Sequence, residues 1–500
     1  MLKINNLTVT TLKGRELIKN FSFVLNEGDK TALIGEEGNG KSTLLKIMAG
    51  IDVSEYVSYT GDIISTDHVA YLPQKIDDIY LNDNVTSFIC QSREPDYPKL
   101  YQLIKTTGVS PDLLDRTVGT LSGGEKVKIS IMKLLYGDPD ILLLDEPTND
   151  LDLKTLIWLE EFINNCPKGI MFISHDETLL NNCATGILHL EQLKKKQEPK
   201  ITYSAESYEN YHSRRSHNID KTNQIARKEK AQLRKQLEKY RQIYQKVDHR
   251  QATISRQDPH GGFLLKKKMH AVKSLGRRLQ QEEENLTQKY EPEEAINIFF
   301  EDIDINPNKI ILDIHLDELR AGNKLLSENI NLYVRGDDKI CIIGDNGSGK
   351  TTLMKLLLQQ LGQRTDIKVG YMSQNYYEIL DYGISPVSYL REICDDRSKV
   401  QSLLGSLKFT TEEMTHNISE LSEGQKCKII LAGLILGKCN VLLLDEPTRN
   451  LSPLSNPEVR EMLINYGGCI IAISHDRLFI DEVCNKVYQL DKSGLTLLDA

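Results

Sequence analysis

The chain has no apolar run approaching the roughly 18–20 residues that cross a bilayer. Its longest strongly apolar stretches, such as Ile141–Leu144, have the length of a strand. A membrane-embedded transporter subunit is thereby excluded. The N-terminus, MLKINNLTV, lacks an apolar secretion core and a small-residue cleavage site. Nine cysteines occur without a CxxC pair and without histidines at metal-ligand spacing. An odd, scattered set of this kind reads as reduced thiols in a cytoplasmic protein, not as a disulfide framework or a zinc site. What remains is ordinary for a soluble globular chain: 40% hydrophobic and 27% charged residues. At 500 residues the chain exceeds a single core and implies two or more domains.

The net charge of −9 conceals a division. Between Arg214 and Tyr290 there are 20 Lys/Arg against 8 Asp/Glu, so this stretch carries +12 and the remainder −21. A basic middle between acidic flanks suits an element that touches a polyanion, or a solvated lysine-rich helix.

The two flanks repeat one another. GEEGNGKSTLLKIMAG from Gly35 returns as GDNGSGKTTLMKLLLQ from Gly344. YLPQ returns as YMSQ, LSGGEKVKISI as LSEGQKCKIIL, ILLLDEPTND as VLLLDEPTRN, and ISHDETLL as ISHDRLFI. The offset is 309 for Lys41/Lys350 but 300 from Gln74/Gln374 onward, so copy one holds nine extra residues between its Gly-rich loop and its glutamine. The expected layout is copy one over 1–200, a helical linker over 201–295 and copy two over 296–500. In the linker, Leu233, Leu237, Tyr240, Tyr244 and Val247, then Val272, Leu275, Leu279 and Leu286, follow a narrow helical seam. Asp258-Pro259-His260-Gly261-Gly262 between them has turn chemistry. Two long antiparallel helices with a tip near 255–268 are expected.

Each GxxxxGK[ST] follows an apolar strand. Gly35, Gly38 and Gly40 in the first copy, and Gly344, Gly347 and Gly349 in the second, let backbone N–H groups turn inward on phosphate oxygens, and the next helix adds its positive end. Lys41 and Lys350 reach the β/γ-phosphates of ATP. The hydroxyls of Ser42 and Thr351 ligate Mg²⁺, and Thr43 and Thr352 complete the loops. In the two LLLDEP strands, Asp145 and Asp445 arrive at a buried strand's C-terminal end to hold the Mg²⁺ shell. Glu146 and Glu446 are placed to orient or deprotonate the attacking water.

Gly-rich loop, glutamine, LSGG[EQ], DEPT and SHD in this order resemble the ABC ATPases, over both copies. The resemblance implies an α/β fold with two P-loop ABC cassettes joined by a long antiparallel, coiled-coil-like helical hairpin. It also implies that the signature of one cassette caps the nucleotide of the other. Ser422 and Gly424 would face ATP on Lys41, and Ser122, Gly123 and Gly124 would face ATP on Lys350. His175 and His475 would contact the γ-phosphate, and Gln74 and Gln374 the metal and the water. Three departures stand out. Glu423 replaces a signature glycine and puts a carboxylate near phosphate. RNLSPLS follows the second DEPT where the first copy has NDLD. No aromatic stands upstream of either Gly-rich loop where ABC proteins usually stack the adenine: TTLKGREL and DELRAGNKL offer Leu12 or Arg320 instead, with GTP as an alternative to ATP.

Two cassettes on one chain, with a basic helical linker and no membrane domain, resemble the ABC-F family. Tyr208-Glu209-Asn210-Tyr211 is similar to that family's YxxNY-type motif at the linker entrance. DEPTRNLSPLSNPEVR is similar to the second cassette of its antibiotic-resistance branch, which acts against lincosamides, streptogramin A and pleuromutilins. The resemblance implies a cytoplasmic monomer whose two cassettes dimerise intramolecularly. It also implies binding to the ribosomal E site, with the linker extended toward rRNA, P-site tRNA and the peptidyl-transferase centre. The alternatives are a housekeeping ABC-F translation factor and the ATPase subunit of a transporter. Only 47 residues separate glutamine from signature serine in each copy, so no extra arm of the housekeeping type is expected. No C-terminal coiled coil of the DNA-repair-linked type is expected either.

Overall fold

The computed structural model describes the chain except for residues 66–67, 92–93, 150, 194–197, 254–258, 288, 291–298, 301–302, 304 and 499–500. Two compact units result: Met1–Tyr208 together with Glu293–Ala500, and Glu209–Pro292. Asp258 of the expected turn, and the expected linker end near 295, lie outside the described residues.

In the first cassette β1 (Leu2–Thr11), β2 (Glu16–Leu25) and β4 (Val57–Ser65) form an antiparallel sheet in the order β2-β1-β4. A second sheet holds β3 (Lys30–Ile34), β5 (Val69–Leu72), β6 (Ile141–Asp145), β7 (Gly169–Ile173), β8 (Gly186–Gln192) and β9 (Glu198–Ser204). Its order is β5-β6-β7-β3-β8-β9, parallel up to the antiparallel β8–β9 edge. KTALI, ILLLD and GIMFI are buried at every position, as strands covered on both faces must be.

The second cassette has β10 (Ile310–Ala321) paired with β11 (Lys324–Arg335), then β12 (Lys339–Ile343), β13 (Val369–Met372), β14 (Val441–Asp445), β15 (Cys469–Ile473), β16 (Lys486–Asp491) and β17 (Gly494–Leu498). Its main sheet repeats the first as β13-β14-β15-β12-β16-β17. The nine residues extra in copy one find their explanation here. They match the length of β4, a nine-residue strand with no counterpart between the Gly-rich loop and Gln374.

Each signature starts a helix, Gly123–Tyr136 or Glu423–Leu436. The reason is a capping box: Ser122 and Ser422 accept from the backbone N–H three residues on, and Glu125 and Gln425 accept from the backbone N–H of the serine. The Glu or Gln that closes the signature is therefore a helix-start residue as much as a motif letter.

The other unit is helical, with Tyr208–Thr253 followed by Pro259–Glu284. Leu233, Val272 and Leu279 of the expected seam are buried, and Leu237, Tyr240, Tyr244, Val247, Leu275 and Leu286 half-buried, with Met269 added to the core. Tyr240 lies where a Cβ on Gly276 would be 2.6 Å from its hydroxyl, so glycine permits this close approach. Pro259 to Gly262, expected as turn, begin the second helix instead. Proline is favoured in a helix's first turn, where its missing N–H is no loss. The hairpin base is closed by Thr287 N–H to Glu229 and Tyr290 N–H to Asn223, both at 2.9 Å. No described helix is long and apolar enough to cross a membrane, and all nine cysteines are free thiols.

Candidate nucleotide sites

The Gly-rich loops leave the ends of β3 and β12. A Cβ on Gly35 would sit 2.2 Å from the Leu190 carbonyl oxygen, and one on Gly344 2.4 Å from that of Leu490. Only glycine fits there, at φ of +145° and +156°. Lys41 Nζ donates to the Gly35 and Glu36 carbonyls at 2.9 and 3.1 Å, and Lys350 to those of Gly344 and Asp345 at 2.8 and 3.1 Å. Both lysines are buried, with their ammonium groups curled under their own loops. Thr43 and Thr352 lie in the helices that follow.

At the strand ends the hydroxyl meets the acid directly. Ser42 Oγ donates to Asp145 Oδ1 at 2.9 Å, and Thr351 Oγ1 to Asp445 Oδ2 at 3.1 Å. Burial pushes both aspartates above the usual carboxylate range. No group of three His, Cys, Asp or Glu that could hold a metal occurs among the described residues. A hydroxyl with one carboxylate nevertheless suits Mg²⁺, which keeps several waters and takes phosphate oxygens as its other ligands.

The next residue is strained in both copies: Glu146 and Glu446 have φ of +48° and +54°. Left-handed backbone at a side chain this large costs about 1–3 kcal/mol and gathers at functional sites. The two glutamates then part company. Glu146 Oε2 accepts from Gln74 and Asn149, each at 2.7 Å, and Oε1 lies 3.2 Å from His175 Nε2. The other ring nitrogen of His175 faces the Leu451 carbonyl of the opposite cassette at 2.6 Å. Despite burial, His175 foremost holds the Glu146 carboxyl down at about 2. Glu446 is 3.8 Å from His475 Nε2 and is reached by the His475 N–H at 3.4 Å. Burial, with Asp445 adjacent, pushes Glu446 up to about 8. His475 Nδ1 is buried with no hydrogen-bond partner among the described residues, and burial together with Lys350 lowers this imidazole to about 4.

A cavity of about 590 Å³ opens on Lys350. It is lined by the second cassette's Gly347, Gly349, Thr351, Thr352, Gln374, Asp445, Glu446 and His475, and by Gly123 of the first signature. Ser122 and Gly124 are not on its wall: the Ser122 hydroxyl bonds to Glu125 at 2.9 Å, and Gly124 faces Thr155. Ser422 and Gly424 face the first Gly-rich loop instead, around a space of about 30 Å³. Gly38 and Gly40, expected like Gly347 and Gly349 to cradle phosphate, lie on the wall of neither space, whereas Gly347 and Gly349 line the larger. The reason is that Glu36 and Glu37 of the same loop occupy the face toward the second signature. Gly38 and Gly40 keep the loop's backbone form all the same, at φ of +78° and +90° against +79° and +105° for Gly347 and Gly349. Gly40 backs onto Leu17, which a Cβ would meet at 3.3 Å.

Glu423 is turned aside, its carboxylate on Lys426 Nζ at 2.8 Å. Arg320 does not line the large cavity either; it pairs with Glu318, and Ala321, Lys324 and Leu326 supply that wall. Leu12 is 67% exposed.

Several participants escaped sequence reading. Tyr71 donates to Asp145 Oδ2 at 2.8 Å, Asn149 holds Glu146, and Arg449, at Asn149's repeat position, lines the large cavity. The YLPQ and DEPTN strings contain the first two, but nothing in their spacing marks a direction. Across the cassettes, Arg460 makes a bidentate contact with Glu177 at 2.6 and 3.3 Å, and Arg477 pairs with Glu160. Tyr208, at the linker entrance, donates to the Pro453 carbonyl at 2.9 Å.

Comparison with known proteins agrees with this geometry. The family described as "ABC transporter" matches residues 18–149 and 327–449. The ATP-binding protein Uup of Buchnera aphidicola is 29% identical, with 99% of this chain and 81% of Uup covered. The ribosome protection protein VmlR of Bacillus subtilis is also 29% identical, covering 97% and 86%. ARB1 of Saccharomyces cerevisiae, an ABC transporter ATP-binding protein, is 26% identical over 97% and 82%. Among solved structures, the archaeal ribosome recycling factor aABCE1, in complex with a stalk protein, shares the fold with a TM-score of 0.60 at 17% identity, over 95% of this chain and 86% of that one. With its nucleotide-binding cassette matched twice, the chain belongs to the ABC transporter family, as a tandem-cassette ATPase of the ABC-F type.

Proposed function

We propose that this ATPase binds the ribosome at the E site and protects it from antibiotics acting at the peptidyl-transferase region, with its hairpin directed to rRNA and P-site tRNA. The observation that carries the proposal is the start of the hairpin's second helix. Phe263 is 66% and Leu264 46% exposed, and Lys266, Lys267 and Lys268 follow, all exposed. An apolar pair that does not enter the hairpin's own seam, beside a lysine cluster, suits a surface of bases and phosphates. The similarity to VmlR, named as a ribosome protection protein, supports the same reading. Such a partner places the protein in the cytoplasm, as a monomer closing on itself.

In this reading Lys41 and Lys350 bind the terminal phosphates of ATP, within loops shaped by Gly35, Gly38 and Gly40 and by their repeats. Ser42 with Asp145, and Thr351 with Asp445, would hold Mg²⁺, which when bound neutralises charge on the phosphate oxygens, with Gln74 and Gln374 beside it. Glu146 and Glu446 take the proton of the attacking water, and His175 and His475 orient the γ-phosphate. Gly123 meets the nucleotide on Lys350, and Ser422 and Gly424 that on Lys41. Closing the cassettes on ATP and opening them after hydrolysis gives the cycle of binding and release.

The test is drug susceptibility of a sensitive bacterium expressing the chain, beside co-sedimentation with ribosomes. Protection against a lincosamide, streptogramin A or pleuromutilin together with pelleting is expected. Pelleting without protection would favour a housekeeping translation factor, and membrane association would favour a transporter subunit.

A further inference from the structure

The two Gly-rich loops differ at the two residues after their first glycine. The second has Asp345-Asn346, the first Glu36-Glu37. Asp345 meets Lys154 of the opposite cassette in the open, where the side chains are 63% and 76% exposed. Glu36 is enclosed by the opposite cassette. It accepts from Ser452 at 2.5 Å and Ser455 at 2.8 Å, and pairs with the buried Lys428 at 3.2 Å. That lysine and the two hydroxyls hold its carboxyl at about 2 against the pull of burial.

Glu37 accepts the backbone N–H groups of Glu423 at 3.2 Å and Gly424 at 2.5 Å, the first two residues of the second signature helix. Gly424 makes the room, since a Cβ there would be 2.8 Å from Glu37 Oε2. A helix start presents unpaired N–H groups and partial positive charge, and so attracts an anion. Here the anion comes from the facing loop of the same molecule. About 30 Å³ remains around it, against about 590 Å³ on the Lys350 side.

We propose that Glu37 is a tethered anion standing where a nucleotide's terminal phosphate would meet the second signature helix, so that the Lys41 compartment selects a nucleoside diphosphate over a triphosphate. The Lys350 compartment, with neutral Asn346 at that position, takes the triphosphate. The inference rests on the reading that each signature helix faces the nucleotide of the opposite loop. A triphosphate brings its third phosphate to the same two N–H donors and beside a like charge, so it must displace Glu37 from two charge-assisted hydrogen bonds. A diphosphate has no group there and leaves them intact. Glu36 acts as a positioning residue: its buried pair with Lys428 keeps the loop docked.

Calorimetric titration with Mg²⁺-ADP and with Mg²⁺-AMP-PNP, a non-hydrolysable triphosphate, tests this in the full chain carrying Lys350→Ala, which leaves the Lys41 compartment to be read. ADP should bind at least about tenfold more tightly than AMP-PNP, and Glu37→Asn should raise AMP-PNP affinity about tenfold with ADP changed less than about twofold. Glu37→Gln is the second variant should the first misfold. Equal affinities in the parent, or an unchanged ratio in the variants, overturn the proposal. Gly424→Val, whose Cβ would meet the Asn450 carbonyl oxygen at 2.7 Å, separates the underlying reading. Placed with Glu37→Asn, it should abolish the gained triphosphate affinity. If it leaves AMP-PNP binding untouched, the capping arrangement itself fails. If it weakens AMP-PNP binding while Glu37→Asn alone changes nothing, capping stands and the Glu37 proposal falls.

Discussion

Changing Glu146 and Glu446 together to Gln separates chemistry from architecture, because the structure accommodates the amide at both places. In the first cassette the new carbonyl oxygen can accept from Gln74 and Asn149, now 2.7 Å from Glu146 Oε2, while its NH₂ turns to His175. In the second, the 3.4 Å contact with the His475 N–H is one that an amide oxygen also accepts. Shape and hydrogen bonding survive, and the proton acceptor is lost. A positioned base is worth about 10²- to 10⁴-fold, or roughly 2.7–5.4 kcal/mol of barrier. Phosphate release at saturating ATP should therefore fall by at least about 100-fold, while ATP affinity stays within about threefold. Closed protein should accumulate and, on ribosomes, stay bound and block translation. The single variants apportion the loss. If Glu37 keeps triphosphate from the Lys41 compartment, Glu446→Gln alone should approach the double variant and Glu146→Gln should keep most of the turnover. Near-normal phosphate release by the double variant would refute the assignment of both glutamates.

Replacing Lys266, Lys267 and Lys268 with Ala should flatten the salt dependence of ribosome binding by roughly 2–3 in log–log slope, with intrinsic ATPase unchanged; an unaltered slope in pelleting assays would move the contact elsewhere. Phe263→Ala and Leu264→Ala should lose or alter drug protection while pelleting persists, read as inhibitory concentrations for a lincosamide, a streptogramin A and a pleuromutilin; equal protection by both variants would make the tip structural. Arg460→Ala leaves Glu177 buried across the cassette interface without its partner and should cost about 3–5 kcal/mol in urea unfolding, largely recovered by Arg460→Met with Glu177→Leu. Burial already pushes Glu177 up to about 7. Its carboxyl takes a proton below that pH and escapes the unpaired charge, so the Arg460→Ala penalty should shrink from pH 8 to pH 6; a penalty independent of pH would refute this account.

Much of this protein was determined by sequence alone. A phosphate loop needs glycines at fixed spacing, a buried parallel strand needs an unbroken apolar run, and an acid pair must follow it. Such needs are local, so Lys41, Asp145, Glu146 and their repeats could be read directly, as could the seam of the hairpin, whose period is that of one helix. The start of the hairpin's second helix was less legible, because Pro259 and the glycines after it serve a helix's first turn as well as a loop. Tertiary structure alone decided what crosses between the cassettes. That His175 meets Leu451, that Arg460 meets Glu177, and that Glu36 and Glu37 reach the second signature helix depend on residues some 276–419 positions apart. The same docking leaves Gly38 and Gly40 off the walls of both spaces between the cassettes while Gly347 and Gly349 line the larger, although both pairs hold the same loop spacing. No periodicity or motif spacing encodes such differences. They follow from how two repeated cassettes dock, and docking turns near-identical motifs into two unequal compartments because a carboxylate in one loop finds helix N–H donors where the other loop carries an amide.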